Sequence, residues 1–172
     1  MKIKDITKVS ICIALLCVSS LISIPVPFSA PITGQTLMVN IIALILVPKY
    51  AFAAIGGYLL LGAFGLPVFS GGTSGFGVLV GPTGGYLLGF LVAAPLISYL
   101  KGSLANFKRY ALVSIFVGMP IIYIIGAPWL GFMTGMGLVK SFLIGILPFL
   151  AGDIIKCIIG AFLSVKIIKR LG

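Results

Sequence analysis

Apolar runs long enough for membrane-spanning helices follow one another along the chain, separated by short segments rich in proline, glycine or lysine. A helix that spans a bilayer needs about 20 predominantly apolar residues, and strands are much shorter than that. The pattern therefore predicts an all-α chain. Six spans are expected, at about residues 6–24, 36–47, 50–64, 86–100, 110–126 and 148–168.

Besides the outer connection 25–35, two connections between the predicted spans contain no charged residue. The first is the glycine-rich segment 65–85, and the second begins at Ala127-Pro128-Trp129. The segment 138–147 is apolar, but about ten residues are too few to span a bilayer, so an interfacial or re-entrant helix is expected there. Pro148 fits the first turn of the last spanning helix, where its missing N–H costs nothing.

The composition favours the same class of protein. Hydrophobic residues make up 60% of the 172 residues and charged residues only 8%, against about 45–50% and about 25% in a typical soluble domain. Because so few charges cannot cover a water-exposed surface, the sequence predicts one integral membrane domain, residues 1–172. Histidine is absent and no nucleophile–base pair is visible, so no enzyme is expected.

The net charge of +10 indicates membrane topology rather than a nucleic-acid partner, because Lys and Arg gather on the cytoplasmic side of membrane proteins. With six spans and the N-terminus inside, both termini are cytoplasmic in a multi-pass protein of a bacterial-type cell membrane. For the first span, a signal peptide ending near Phe28-Ser29-Ala30 is the alternative, although Pro31 would hinder cleavage. Ten of the twelve cations then lie inside: Lys2, Lys4, Lys8, Lys49, Lys101, Lys108, Arg109, Lys166, Lys169 and Arg170.

Asp153 and Lys156 are charges that topology does not explain. They lie three residues apart in the last predicted span, so their side chains share one helix face. A charge at the centre of a spanning helix costs about 2.5–3.5 kcal/mol and faces the bundle interior or a wet cavity. The pair predicts a polar ligand site in the outer half of the bundle; the alternative is a self-neutralising pair that only fixes packing. Lys140 is expected to reach the lipid headgroups.

Three further segments supply candidate contacts. The glycine-rich segment matches neither a phosphate loop nor a dinucleotide fingerprint, and its length favours a functional role. Gly85, at its end, and Gly89 also have the small-xxx-small spacing of tightly packed helices, which is an alternative interpretation of these glycines. The outer connection 25–35 is either a lid over a cavity or an ordinary stiff loop. Ser10 and Ala14 form a second small-xxx-small face, on the first span.

Three motifs resemble those of the BioY family, the biotin-binding S components of energy-coupling-factor vitamin transporters. They are PITGQTL at 31–37, GLPVFSGGTSGFGVLVGPTGGYLLGF at 65–90 and FLAGDIIK at 149–156. The apolar framework between them covers nearly the whole chain. Two positions depart from the family pattern: Gly34 stands where a larger apolar residue is usual, and Ala151 stands where proline is expected.

The resemblance implies a six-helix S-component bundle that captures biotin from outside. It also implies that Ser10 and Ala14 dock on a transmembrane coupling subunit, which is accompanied by two ATPase subunits. No cofactor is expected, because biotin is the transported ligand and ATP is used by the partner subunits only. The site residues that it implies are the ligand contacts Asp153 and Lys156, the lining residues Thr83, Gly84, Gly85 and Tyr86, and the lid residues Thr33 and Gln35.

The chemistry of biotin suits these residues. An apolar cavity accepts the fused rings and the alkyl chain, Asp153 is expected to accept a ureido N–H, and Lys156 to pair with the carboxylate or to hold Asp153 ionised. Tyr86 would supply an aromatic wall with a polar tip. An S component for another vitamin, or a structural or assembly membrane protein without a small ligand, remains an alternative.

Overall fold

The computed structural model describes residues 3–171. It is built almost entirely of helices, and its two short strands pair antiparallel with Ser23 opposite Thr33. A 3₁₀ turn precedes α4, and a π-helical turn joins α6 to α7. The elements are α1 (Ile3–Leu21), β1 (Ser23–Ile24), β2 (Ile32–Thr33), α2 (Gln35–Ile45), α3 (Pro48–Ala63), the 3₁₀ turn (Ser70–Gly72), α4 (Phe76–Leu79), α5 (Gly84–Leu100), α6 (Phe107–Val113), the π turn (Ser114–Gly118), α7 (Met119–Thr134) and α8 (Leu138–Leu171).

The predicted all-α architecture is confirmed, and a helix lies at each of the six predicted positions. They are α1, α2, α3, α5, the continuous helix formed by α6, the π turn and α7, and α8. Two of them, Phe107–Thr134 and Leu138–Arg170, are long and apolar enough to cross a membrane by length and composition. Helices α2 and α5 are apolar but shorter.

The fifth helix is longer than predicted, and the connection expected at Ala127-Pro128-Trp129 is wrong. Helix α7 continues through Pro128 to Thr134. Gly126 and Ala127 are buried against neighbouring helices, and such packing allows proline to remain inside an apolar helix. The helix ends instead at Gly135, whose φ of 68° is a left-handed conformation that favours glycine.

The last helix is also continuous, so the separate interfacial or re-entrant helix expected at 138–147 is wrong. Pro148 lies inside α8 and has no N–H to donate to the carbonyl of Ile144, one turn earlier. The hydroxyl of Ser29 donates to that carbonyl at 2.9 Å. Because a side chain from the outer connection satisfies the freed carbonyl, the helix passes through the proline.

Small residues bring α5 and α7 close together. A Cβ added at Gly89 would lie 3.0 Å from the Cα of Ile122, and one at Gly126 would collide with the Tyr86 ring. A side chain at either glycine would therefore force the two helices apart. The small-xxx-small spacing of Gly85 and Gly89 serves helix packing, and this packing fixes the ring of Tyr86 in the bundle.

The cationic segments meet at one end of the bundle. Lys101, at the end of α5, donates to backbone carbonyls at the end of α2. Arg109 donates from Nε to the carbonyl of Leu100 at 3.1 Å, and Tyr50 donates to Asp5 at 2.8 Å. The β1–β2 hairpin and the glycine-rich segment lie at the opposite end. Lys2, one of the predicted cytoplasmic cations, lies outside the described residues.

Candidate functional site

A cavity of about 580 Å³ lies at the hairpin end of the bundle, within the range of small-molecule sites. The outer connection and the glycine-rich segment surround its entrance, and α2, α5, α7 and α8 form its walls. Among residues 3–171, no group of three His, Cys, Asp or Glu residues could hold a metal ion. The predicted site residues that line the cavity are Thr33, Gln35, Thr83, Tyr86 and Asp153.

The Asp153 carboxylate lines the cavity and forms an ion pair with Lys156, which is half-buried and does not itself line the cavity. Lys156 Nζ lies 2.9 Å from Asp153 Oδ1, and Asp153 is only 4% exposed. The other carboxylate oxygen, Oδ2, accepts from the hydroxyl of Tyr123 at 2.8 Å. Lys156 also donates to Thr36 Oγ1 at 3.3 Å. Side chains from α2 and α7 thus complete a polar cluster around the pair, and the buried carboxylate has a donor on each oxygen.

The pair lies deeper along its helix than the sequence suggested. Because α8 begins at Leu138 instead of Pro148, Asp153 and Lys156 lie near the middle of a 34-residue helix. Their partner Thr36 belongs to the first turn of α2, so the cluster is level with the start of that helix. The ion pair therefore lies beside the start of α2, with its carboxylate in the cavity wall.

Apolar and aromatic side chains form most of the cavity wall. Tyr86 contributes its ring, because its hydroxyl donates to the carbonyl of Gly145 in α8 at 2.9 Å. The polar tip expected at Tyr86 is therefore already bonded to the backbone. Thr83 lies half-buried at the start of α5. The main apolar wall residues are Phe69, Leu87, Phe90, Ile122 and Phe149.

Gly84 and Gly85 lie next to the wall but do not line the cavity. A Cβ at Gly84 would collide with the carbonyl of Leu79, and one at Gly85 would lie 2.7 Å from Cγ of Trp129. The indole of Trp129 in turn donates to the carbonyl of Gly81 at 2.9 Å. These close contacts hold the glycine-rich segment against α7, so the two glycines position the backbone that carries Thr83 and Tyr86.

Thr33 and Gln35 take part in a buried hydrogen-bond chain. Thr33 donates to Gln35 Oε1 at 2.9 Å, and Gln35 Nε2 donates to the hydroxyl of Tyr58 at 2.5 Å. Tyr58 and Ser20 both donate to the carbonyl of Val68, at 2.9 and 2.5 Å. The chain joins α1, α2, α3 and the glycine-rich segment. Both Oε1 and Nε2 of the Gln35 amide therefore form hydrogen bonds within the protein.

Gly34, one of the two departures from the family pattern, has a structural reason. A Cβ at this position would lie 2.7 Å from the carbonyl oxygen of Ser19. The N–H of Gly34 donates to the carbonyl of Ile22 at 3.1 Å. The start of α2 therefore lies directly against the end of α1, and a larger residue would displace it.

Tyr123 and Thr36 belong to the polar cluster, and the sequence analysis missed both. Tyr123 lies in an apolar span without a recognisable motif around it, whereas Thr36 lies inside the motif PITGQTL at 31–37 but was not named there as a site residue. Tyr123 carried one signal that could have been used, since a buried tyrosine usually finds a hydrogen-bond partner for its hydroxyl. Its place in that motif was the only signal for Thr36, because its contact with Lys156 joins residues 120 positions apart in the chain.

Ser10 and Ala14 are exposed on α1. They lie one helical turn apart, so they form one small-residue patch on the outer surface of the bundle. Neither residue lines the cavity.

Comparison with known proteins identifies the family. The profile described as the BioY family matches residues 1–172. The chain belongs to the BioY family. It is 38% identical over 170 residues to biotin transporter BioY2 of Lactococcus lactis, covering 99% of this chain and 93% of that protein. It is 39% identical over 166 residues to biotin transporter BioY of Thermotoga maritima, covering 96% of each.

A solved structure shares the same fold. It is described as the S-component for biotin from an ECF-type ABC transporter, and it matches this BioY-family chain with a TM-score of 0.90 at 28% identity. The match covers 97% of this chain and 92% of that chain. The predicted family and S-component fold are confirmed, and the family consists of transporter components rather than enzymes.

Proposed function

We propose that this protein is the membrane-embedded substrate-binding subunit for biotin uptake, which captures biotin from the outer side and delivers it inward when coupled to ATPase subunits. The observation that carries the proposal is the Asp153–Lys156 pair, whose buried carboxylate lines a mainly apolar cavity. Such a cavity suits a ligand with an apolar body and polar groups at defined positions. Membership of the BioY family supports biotin as that ligand.

The contacts of the pair suggest how biotin binds. Each Asp153 oxygen already accepts one hydrogen bond and keeps a second acceptor position, so the carboxylate accepts a ureido N–H. Lys156 has three N–H donors, and two are used. The third either pairs with the biotin carboxylate or strengthens the ionised state of Asp153. The Tyr86 ring and Thr83 contact the ligand from the wall, supported by Gly84 and Gly85.

Thr33 and Gln35 act in the proposal as lid residues. Their hydrogen-bond chain to Tyr58 and to the carbonyl of Val68 connects the outer connection to the glycine-rich segment. Both segments border the cavity entrance. The chain therefore holds the two sides of the entrance together once the ligand is inside.

Transport in this proposal depends on partner subunits. The protein is a multi-pass component of the cell membrane, surrounded by lipid, with its cationic end and both termini in the cytoplasm. The chain has no phosphate-loop motif, so ATP is used by two ATPase subunits. Ser10 and Ala14 dock on the transmembrane coupling subunit, whose helices can approach a small-residue face closely.

Calorimetric titration of the detergent-solubilised protein tests the ligand. Biotin is expected to bind tightly with a stoichiometry near one, and riboflavin and thiamine are expected to show no saturable heat. Tight binding of another vitamin without biotin binding would assign the chain to a different ligand. Absence of binding by all three would favour a structural role.

Asp153→Asn and Lys156→Ala test the site. Removing a hydrogen bond to a charged group costs about 1.5–3 kcal/mol, so each variant is expected to bind biotin about ten- to a hundredfold more weakly. The control is Lys140→Ala, which removes an exposed cation near the start of α8 and is expected to bind like the parent. If both site variants fold and bind like the control, the pair only fixes helix packing.

A further inference from the structure

Tyr123 has a hydroxyl that points to the centre of the site from a different helix. The residue is 6% exposed and lines the cavity. Its hydroxyl donates to Asp153 Oδ2 at 2.8 Å. The contact joins α7 to α8 across 30 positions of the chain.

The two donors on Asp153 hold its two oxygens separately. Lys156, on the same helix, contacts Oδ1 at 2.9 Å, and Tyr123 contacts Oδ2. Rotation of a carboxylate about its terminal torsion is otherwise broad. With one donor on each oxygen, the plane of the carboxylate is fixed relative to both helices. The remaining acceptor position on each oxygen is then also fixed in direction.

The two donors differ in what they bring to the site. Lys156 contributes a positive charge that balances the carboxylate, whereas Tyr123 contributes a hydrogen bond without a formal charge. A neutral donor leaves the net charge of the pair at zero. Tyr123 therefore orients Asp153 without competing for the anionic group of a ligand.

We propose that Tyr123 is a positioning residue for ligand binding: its hydroxyl orients the Asp153 carboxylate so that Asp153 can accept an N–H of a cyclic urea. This inference rests on the proposed function, since it assumes that the ligand carries the ureido group of biotin. The ring of Tyr123 completes the wall, and the selectivity for an N–H donor comes from the hydroxyl acting through Asp153.

Tyr123→Phe tests the inference because it removes one hydroxyl and keeps the ring. The variant is expected to bind biotin at least about tenfold more weakly, as for other hydrogen bonds to charged groups. The matched control is Tyr110→Phe, on the same continuous helix, buried and outside the cavity. It is expected to bind like the parent. Should Tyr123→Phe fail to fold, the more adaptable Tyr123→Met removes the same hydroxyl.

A double-mutant cycle with Asp153→Asn separates positioning from a general structural effect. If Tyr123 acts through the carboxylate, Tyr123→Phe changes biotin affinity less than threefold in the Asp153→Asn background. Titration at raised biotin concentration measures the weakened variants. Additive losses, or a Tyr123→Phe affinity within threefold of the parent, would overturn the inference. If the parent itself does not bind biotin, the proposed function fails instead.

Discussion

Single residues at the cationic end supply the hydrogen bonds that the backbone carbonyls at a helix end would otherwise lack. The last carbonyls of a helix have no partner within it, and the carbonyls of Ala43, Leu44 and Leu46 at the end of α2 accept from Lys101 Nζ. Ser98 also donates to Leu46, at 2.6 Å. Lys101 was predicted only as a cytoplasmic cation, yet it is 8% exposed and caps α2.

Lys101→Met is therefore expected to destabilise the protein. The methionine keeps the apolar stem but removes the donor to the carbonyls of Ala43 and Leu44, which costs about 1–3 kcal/mol. The melting temperature should fall by several degrees, since 1 kcal/mol corresponds to about 2–4 °C at this size. Size-exclusion retention after heating in detergent measures the shift. Lys108→Met, at an exposed lysine of the same end, is the control, and an equal melting temperature for the two variants would contradict the capping role.

The charged half of the site was predictable at the residue scale, and the neutral half was not. Asp153 and Lys156 stand out because charges are rare in apolar helices, and their spacing of three residues places them on one face. Tyr123 and Thr36 are ordinary in such helices. Their contribution depends on which helices are neighbours, and local sequence carries no signal for that.

At the scale of the elements, the two wrong helix boundaries of the sequence analysis both lie at prolines. Pro128 and Pro148 were interpreted as boundaries, because proline disrupts the hydrogen-bond ladder of a helix. Both lie inside continuous helices. The carbonyl that Pro148 leaves free accepts from Ser29 of the outer connection. A boundary prediction from proline fails where a distant side chain replaces the missing donor.

The bond from Ser29 also ties the outer connection to α8. Ser29→Ala removes this link from the cavity entrance, so bound biotin is expected to dissociate about two- to tenfold faster, in line with a bond of about 0.5–1.5 kcal/mol. The rate is measured by chasing labelled biotin with an excess of unlabelled ligand. Ser103→Ala, in the exposed turn after α5, is the matched control. Equal dissociation rates for the two variants would show that this bond does not restrain the entrance.

At the scale of the whole molecule, the two ends of the bundle have different chemistry. Cations gather at one end, and the cavity opens at the other, between the hairpin and the glycine-rich segment. This separation fits capture on one side of the membrane and coupling on the other. The small-residue patch of Ser10 and Ala14 lies on α1 and does not line the cavity, so the proposed docking surface and the proposed ligand site are separate.

Ala14→Leu tests that separation. A larger side chain would block close approach of a partner helix, so much less coupling subunit is expected to co-purify with this variant. Its affinity for biotin is expected to equal that of the parent. Leu15→Met, an exposed neighbour on α1, is the control. Undiminished recovery of the partner with Ala14→Leu would place the docking face elsewhere.

The sequence by itself determined the class, the positions of six helices and the charged pair of the candidate site, because hydropathy and isolated charges act locally and leave strong patterns. Only the tertiary structure decided how far α7 and α8 extend, which glycines serve packing, and which neutral side chains complete the polar cluster. Those outcomes depend on hydrogen bonds and close contacts between distant segments. Ser29 with Ile144 and Tyr123 with Asp153 are such pairs, and neither can be inferred from the residues that flank it.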